Sequence, residues 1–423
     1  MRFLAEWLEN AQNAAPEERA TVANFRMWLS EQNVTMNLRE RDNTSNESIL
    51  ISLYSLAEGL AHDWWSLFGN RERVISLIKH RTGFAMPDIR FRFDGAAFEA
   101  TAFQKTYQNP PIRFWAGPTE ILDREQAEQS LSDFIELILA KLDASGIRNT
   151  SAQLRWARVQ TSRADSQESS FCESAGALGI DPYEIKDSDA ALIENASELF
   201  SQEPLAEFLS GAKDYSADTL LKWVRAAERR PKYKSCLSDL MTIARRTARS
   251  FPERVGDQSW ALGYRRARGM RQALDLKQTD RIRTDKNLAR KLGAAVNFEA
   301  APRVDGIRAL RSYKTGDDVF IHLRDHGKSP QARVVQLFSF ARAVGDVACF
   351  PTAERSPINE LHSAYRQSAG RAFAAEFLAP IDEVRSMHND GHDPMTIADE
   401  LSVSTAVVDR QLENAHRIDS ACA

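Results

Sequence analysis

Residues 329–347 leave the chain little choice but a helix, and that helix constrains what packs around it. Ser329 followed by Pro330 is an N-cap with proline at the first helical position, where φ is already helical and the missing N–H breaks no bond. Apolar side chains recur at Val334, Leu337, Phe338, Ala341 and Val344, a stripe that other elements must cover. Arg342 and Asp346 stand off that stripe at i, i+4 spacing, where an ion pair adds about 0.2–0.5 kcal/mol to a helix. They are expected to pair with each other. Upstream, residues 318–323 alternate with period two and residues 306–313 are strand-like, so two strands are expected to pair beside this helix.

A second helical stretch, Arg371-Ala-Phe-Ala-Ala-Glu-Phe-Leu-Ala-Pro380, follows. Together with Leu337-Phe-Ser-Phe-Ala-Arg-Ala-Val-Gly-Asp-Val347 it resembles the ImmA/IrrE metallopeptidase family, in which a helix of the form F-T-L-A-H-E-L-G-H precedes E-A-N-x-F-A-A-E-L-L-M-P. The resemblance implies a zincin-like domain over residues 300–415, roughly. It places the family's first histidine ligand at Arg342, its catalytic glutamate at Ala343, its second histidine at Asp346 and its third, acidic ligand at Ala369, while Gly345 keeps the family glycine. An H-E-x-x-H helix works because two histidines on one face hold a metal while the glutamate serves as general base. None of those side chains is present, and no Asp or Glu occurs across residues 361–375. The resemblance therefore implies a vestigial site with no catalytic residue, no metal and no cofactor. A ligand set rebuilt from Asp346, His362 and Glu376 follows no recognisable template.

With 423 residues and 43% apolar composition the chain is long enough for two or three domains. The expected fold is α+β and predominantly helical, in three parts. Residues 1–150 read as a small mixed region: a strand at 49–53, a helix at 56–68, a hairpin from residues 88–93 and 98–103 about Asp94-Gly95, a third strand at 111–115 and a helix at 124–142. Residues 151–300 read as helical throughout and without strand. Residues 301–423 form the degenerate ImmA/IrrE-like part, ending in a helix-turn-helix rhythm over residues 396–412, with Ser402 at the turn and Ser404 capping. Residues 171–183 and the Trp64-Trp65 helix resemble the amino-terminal portion of longer bacterial members. Acids interrupt the start too early for a signal-peptide core, and the most apolar stretch, 49–68, contains Glu58, His62 and Asp63, so neither secretion nor a membrane span is expected. Cys172, Cys236, Cys349 and Cys422 lie far apart with no C-x-x-C, which fits a reducing cytoplasm.

The net charge of -4 hides an asymmetry. Residues 222–291 carry 20 Lys/Arg against 7 Asp/Glu, and residues 1–221 carry 21 against 34. Arg245, Arg246, Arg249, Arg265, Arg266, Arg268 and Arg271 fall at helical spacings that let several line one face, as nucleic-acid contacts or as partners for the acidic first half. In the terminal helix pair, Thr405, Asp409 and Arg410 would approach a major groove, but the acids around them oppose phosphate and favour a packing role. His322 and His326, like His388 and His392, read as ordinary surface residues. The resemblance implies a protein partner, an XRE-type transcriptional repressor, bound without being cut in a stress or mobile-element response. A nucleic-acid binder using the basic helices is the alternative, and a zinc peptidase with an atypical site ranks last.

Overall fold

The computed structural model describes residues 1–8, 14–212, 215–230, 235–253, 257–294, 299–314 and 317–422. The chain divides into two compact units, Met1–Ala190 and Ala191–Ala423. The first contains β1 (Arg2–Trp7), α1 (Pro16–Ala20), β2 (Val22–Leu29), β3 (Gln32–Asn33), β4 (Asn37–Arg39), β5 (Thr44–Asn46), β6 (Ile49–Ser52), α2 (Tyr54–Gly69) and β7 (Ile75–Ser76). It continues with β8 (Asp88–Phe93), β9 (Phe98–Phe103), β10 (Lys105–Gln108), β11 (Pro111–Phe114), β12 (Thr119–Leu122), α3 (Arg124–Ala144), α4 (Ser151–Ala164) and α5 (Ser166–Leu178). Helix α6 (Asp187–Ser197) crosses the division.

Three antiparallel sheets build this unit: β1-β2-β3 with β6 on β2, β10-β11-β4-β5, and β12-β9-β8-β7. The expected hairpin is β8/β9, in register from Asp88 opposite Phe103 to Phe93 opposite Phe98. Asp94 closes its turn by accepting the N–H groups of Ala96 at 2.9 Å and Ala97 at 2.8 Å. Capping boxes start α3 at Asp123 and α4 at Thr150, each answered by a glutamine three residues on. Helices α4 and α5 pack on the buried α2, so the compact unit runs past the boundary expected at residue 150.

The second unit holds α7 (Gln202–Ala212), α8 (Ala217–Arg229), β13 (Ser235–Leu237), α9 (Leu240–Ser250), α10 (Ser259–Ala273), α11 (Asp285–Lys291), β14 (Ile307–Tyr313), β15 (Val319–Leu323) and α12 (Pro330–Cys349). After these come β16 (Ser356–Asn359), α13 (Tyr365–Leu378), α14 (Ile381–Asn389), α15 (Pro394–Leu401) and α16 (Thr405–Cys422). Its antiparallel sheet runs β13-β15-β14-β16, and the two strands expected before the helix pair with each other. Strand β13 corrects the all-helical reading of the middle: three residues are too few to show an alternation, yet they pair with Val319, Phe320 and Ile321. The boundary expected at residue 300 is also absent, because α9, α10 and α11 share a core with α12 and α13. Two glycines allow close helix approaches in this unit. A Cβ on Gly263 of α10 would stand 2.4 Å from the Ala369 carbonyl oxygen, and one on Gly345 of α12 would stand 2.6 Å from the Phe373 ring.

Candidate functional site

Helix α12 begins as its sequence dictates, with Ser329 Oγ accepting the Ala332 N–H at 3.1 Å. From Ser339 to Cys349 every residue is buried, so the helix has no exposed face there on which Arg342 and Asp346 could pair. They do not pair with each other. Asp346 turns to α13 and β14: Arg366 Nε reaches its Oδ1 at 2.5 Å, Arg366 Nη2 its Oδ2 at 2.8 Å, and Arg311 Nη1 its Oδ2 at 2.9 Å. Arg311 also donates to the carbonyls of Phe350, at 3.0 Å, and Thr352, while Arg366 Nη1 reaches Glu354 at 2.7 Å. Burial pushes the Asp346 carboxyl up, but Arg366 and then Arg311 outweigh it and hold the group below the usual carboxylate range.

Arg342 turns instead to β16 and α13, donating from Nη2 to Asn359 O at 2.7 Å and to Gln367 Oε1 at 3.1 Å. Its Nε has no partner among the described residues. Gln367 passes the contact on, its Nε2 donating to Glu207 Oε2 of α7 and to Pro357 O, both at 2.7 Å. Asn359 Nδ2 donates to Glu207 O at 3.0 Å. Glu207 is fully buried, its Oε1 without a partner among the described residues, and burial, reinforced by Glu203, pushes its carboxyl up to about 8. Ala343 and Ala369, the other two positions marked in the sequence, are fully buried methyl groups.

A metal needs several lone pairs converging on one point, and this network uses its lone pairs for arginines and amides. No group of three His, Cys, Asp or Glu among the described residues could hold one. The set of Asp346, His362 and Glu376 is not assembled: the Glu376 oxygens accept from Arg268 Nε at 2.6 Å, and from Ile381 N and Gln411 Nε2 at 3.1 Å each. His388 and His392 are exposed as expected. His322 corrects that reading: it is fully buried on β15, its Nε2 lying 2.8 Å from Ser312 Oγ. His326 is partly buried, and its desolvation lowers it to about 4.

The basic helices hold much of their charge inside the unit. Arg266 and Arg271 are buried, Arg271 donating to Phe377 O at 2.7 Å. Arg265 pairs with Asp257, Arg268 with Glu376 at 2.6 Å and Arg245 with Asp317 at 2.6 Å. These acids lie in the second unit, not in the acidic first half. Arg246 is exposed and reaches Ala273 O at 3.4 Å, leaving Arg249 as a solvated cation. In the terminal helix pair Ser402 adopts the left-handed turn conformation, with φ 57°. Gln411 ties α16 to the chain before it, donating to Ala379 O at 2.7 Å, while Thr405, Asp409 and Arg410 are exposed.

Sequence reasoning missed Arg311, Arg366, Gln367 and Glu207. The available signal was an acid, Glu207, set among Pro204, Leu205, Phe208 and Leu209 on the apolar part of its helix. No protein-family model, no curated protein and no solved structure matches this chain.

Proposed function

We propose that this is a non-catalytic regulatory or interaction protein, built on a metallopeptidase-like domain of the ImmA/IrrE type that binds a partner without cutting it. One observation carries the reading: the Asp346 carboxylate, at a vestigial ligand position, is closed off by Arg366 and Arg311. Arg342 and the two alanines supply no ligand, and without a metal an attacking water keeps its ordinary, unreactive pKa. The resemblance suggests an XRE-type transcriptional repressor as the partner. The described cysteines Cys172, Cys236 and Cys349 are free, which suits a reducing compartment. Among the described residues no helix is long and apolar enough to cross a membrane.

The test combines metal analysis of the purified protein with titration calorimetry and a cleavage assay against an XRE-type repressor. Binding without cleavage, from protein lacking stoichiometric zinc, is the expected result. Chelator-sensitive cleavage, or no binding, overturns the reading. The nucleic-acid alternative is disfavoured because Arg266 and Arg271 are buried and Arg265 is paired with Asp257.

A further inference from the structure

At the other end of α13 from Arg366, ten residues and therefore about 15 Å along the helix axis, the second unit encloses a cleft of about 420 Å³. That volume falls within the range of small-ligand sites, about 300–1,000 Å³. Two of its lining residues are fixed: the Glu376 carboxylate is satisfied by Arg268, Ile381 and Gln411, and buried Arg271 is anchored on Phe377 O. Three more, Asp275, Lys277 and Asp382, are exposed. The Arg268 side chain is 52% exposed and bonds Glu376 through Nε, so its two terminal nitrogens have no partner among the described residues. Lining cations (Arg268, Arg271, Lys277) and anions (Asp275, Glu376, Asp382) balance. A plain anion such as phosphate would meet two exposed carboxylates, and a plain cation would meet a guanidinium and an ammonium. A molecule carrying both charges meets a complement for each, through the charge-assisted hydrogen bonds that are the stronger kind.

We propose that this cleft binds a small zwitterion, a free amino acid or a di- or tripeptide, with the ligand carboxylate at Arg268 and Lys277 and its ammonium at Asp275 and Asp382. This is independent of the repressor-binding reading. The test is titration calorimetry of the full chain with glycine, triglycine, N-acetyl-triglycine and triglycine amide. Triglycine or glycine should bind saturably, and whichever is tighter identifies the source as peptide or amino acid. Each blocked form, lacking one charge, should bind at least about tenfold more weakly, a loss of about 1.4 kcal/mol. Asp275→Asn with Asp382→Asn, and separately Lys277→Ala, should weaken binding by a similar factor without moving the thermal midpoint, because these side chains are exposed. Arg268→Gln is less decisive, since it also strips Glu376 of its partner. No saturable binding of any probe, equal binding of the blocked forms, or indifference to the lip substitutions overturns the proposal.

Discussion

Two buried carboxyls in the second unit respond to pH in opposite senses. Asp346 is held below the usual range by its arginines, so the stability it adds is present above the unfolded carboxyl value and is lost as pH falls. Glu207 is raised from 4.5 to about 8, so the folded state keeps a proton that the unfolded state has released. Its contribution is fully present below 4.5 and is lost as pH climbs to about 8. The slope from one such proton is at most about 1.4 kcal/mol per pH unit. Glu207→Gln should flatten the decline between pH 5 and 8, read as urea midpoints at a series of pH values; the same slope in both proteins would show that Glu207 does not hold the proton. Asp346→Ala should be costly for a different reason. It takes from Arg311 and Arg366 the carboxylate they share and leaves them only Glu354 as a counter-charge, and breaking a buried pair from one side costs about 3–5 kcal/mol. Chemical denaturation reads that loss directly, and a change under 1 kcal/mol, roughly the worth of an exposed pair, would contradict the buried geometry.

Helices α10, α12 and α13 meet through glycine, so their spacing is set by the absence of a side chain. Gly263→Ala gains up to about 1 kcal/mol of helix propensity but forces a methyl against the Ala369 backbone. Overpacking of this kind costs about 1–3 kcal/mol, so a net loss is expected in thermal or urea unfolding. Gly345→Ala should lose less, because its obstacle is the Phe373 ring and not backbone, and the reverse order would mean the helices can move apart. Elements with a local signature were legible in the sequence: the Ser329-Pro330 cap of α12, the β8/β9 alternation and the α3 helix. Strand β13 was not, since three residues define no period. The site was half legible for the same reason. Arg342, Ala343, Asp346 and Ala369 were marked by their positions, but the partners that decide their chemistry come from α7, β14 and the start of α13, and no local pattern records a pairing between Asp346 and Arg311.

For the whole chain, the basic stretch and helix α12 lead to the same conclusion: several charges that look available in sequence are committed inside the second unit. Arg266 and Arg271 are buried, Arg281 reaches Glu383 and Arg245 reaches Asp317, so the formal excess of 222–291 overstates what a polyanion would meet. Any affinity for DNA should therefore be small, with a shallow salt dependence, because few phosphates could be neutralised. Metal should matter as little. A ligand that binds only the folded state raises its stability, so a zinc protein melts earlier with a chelator, whereas this one should melt at the same temperature with or without EDTA. The sharper experiment writes an H-E-x-x-H set into α12 with Arg342→His, Ala343→Glu and Asp346→His together. If only the ligands were missing, zinc would bind. The expected result is no binding and a loss of about 3–5 kcal/mol, because the change removes the carboxylate that Arg311 and Arg366 share and supplies no acid near Ala369. Stoichiometric zinc in a stably folded triple variant would mean that Arg311 and Arg366 can leave, and that the space they fill beside α12 can take a metal.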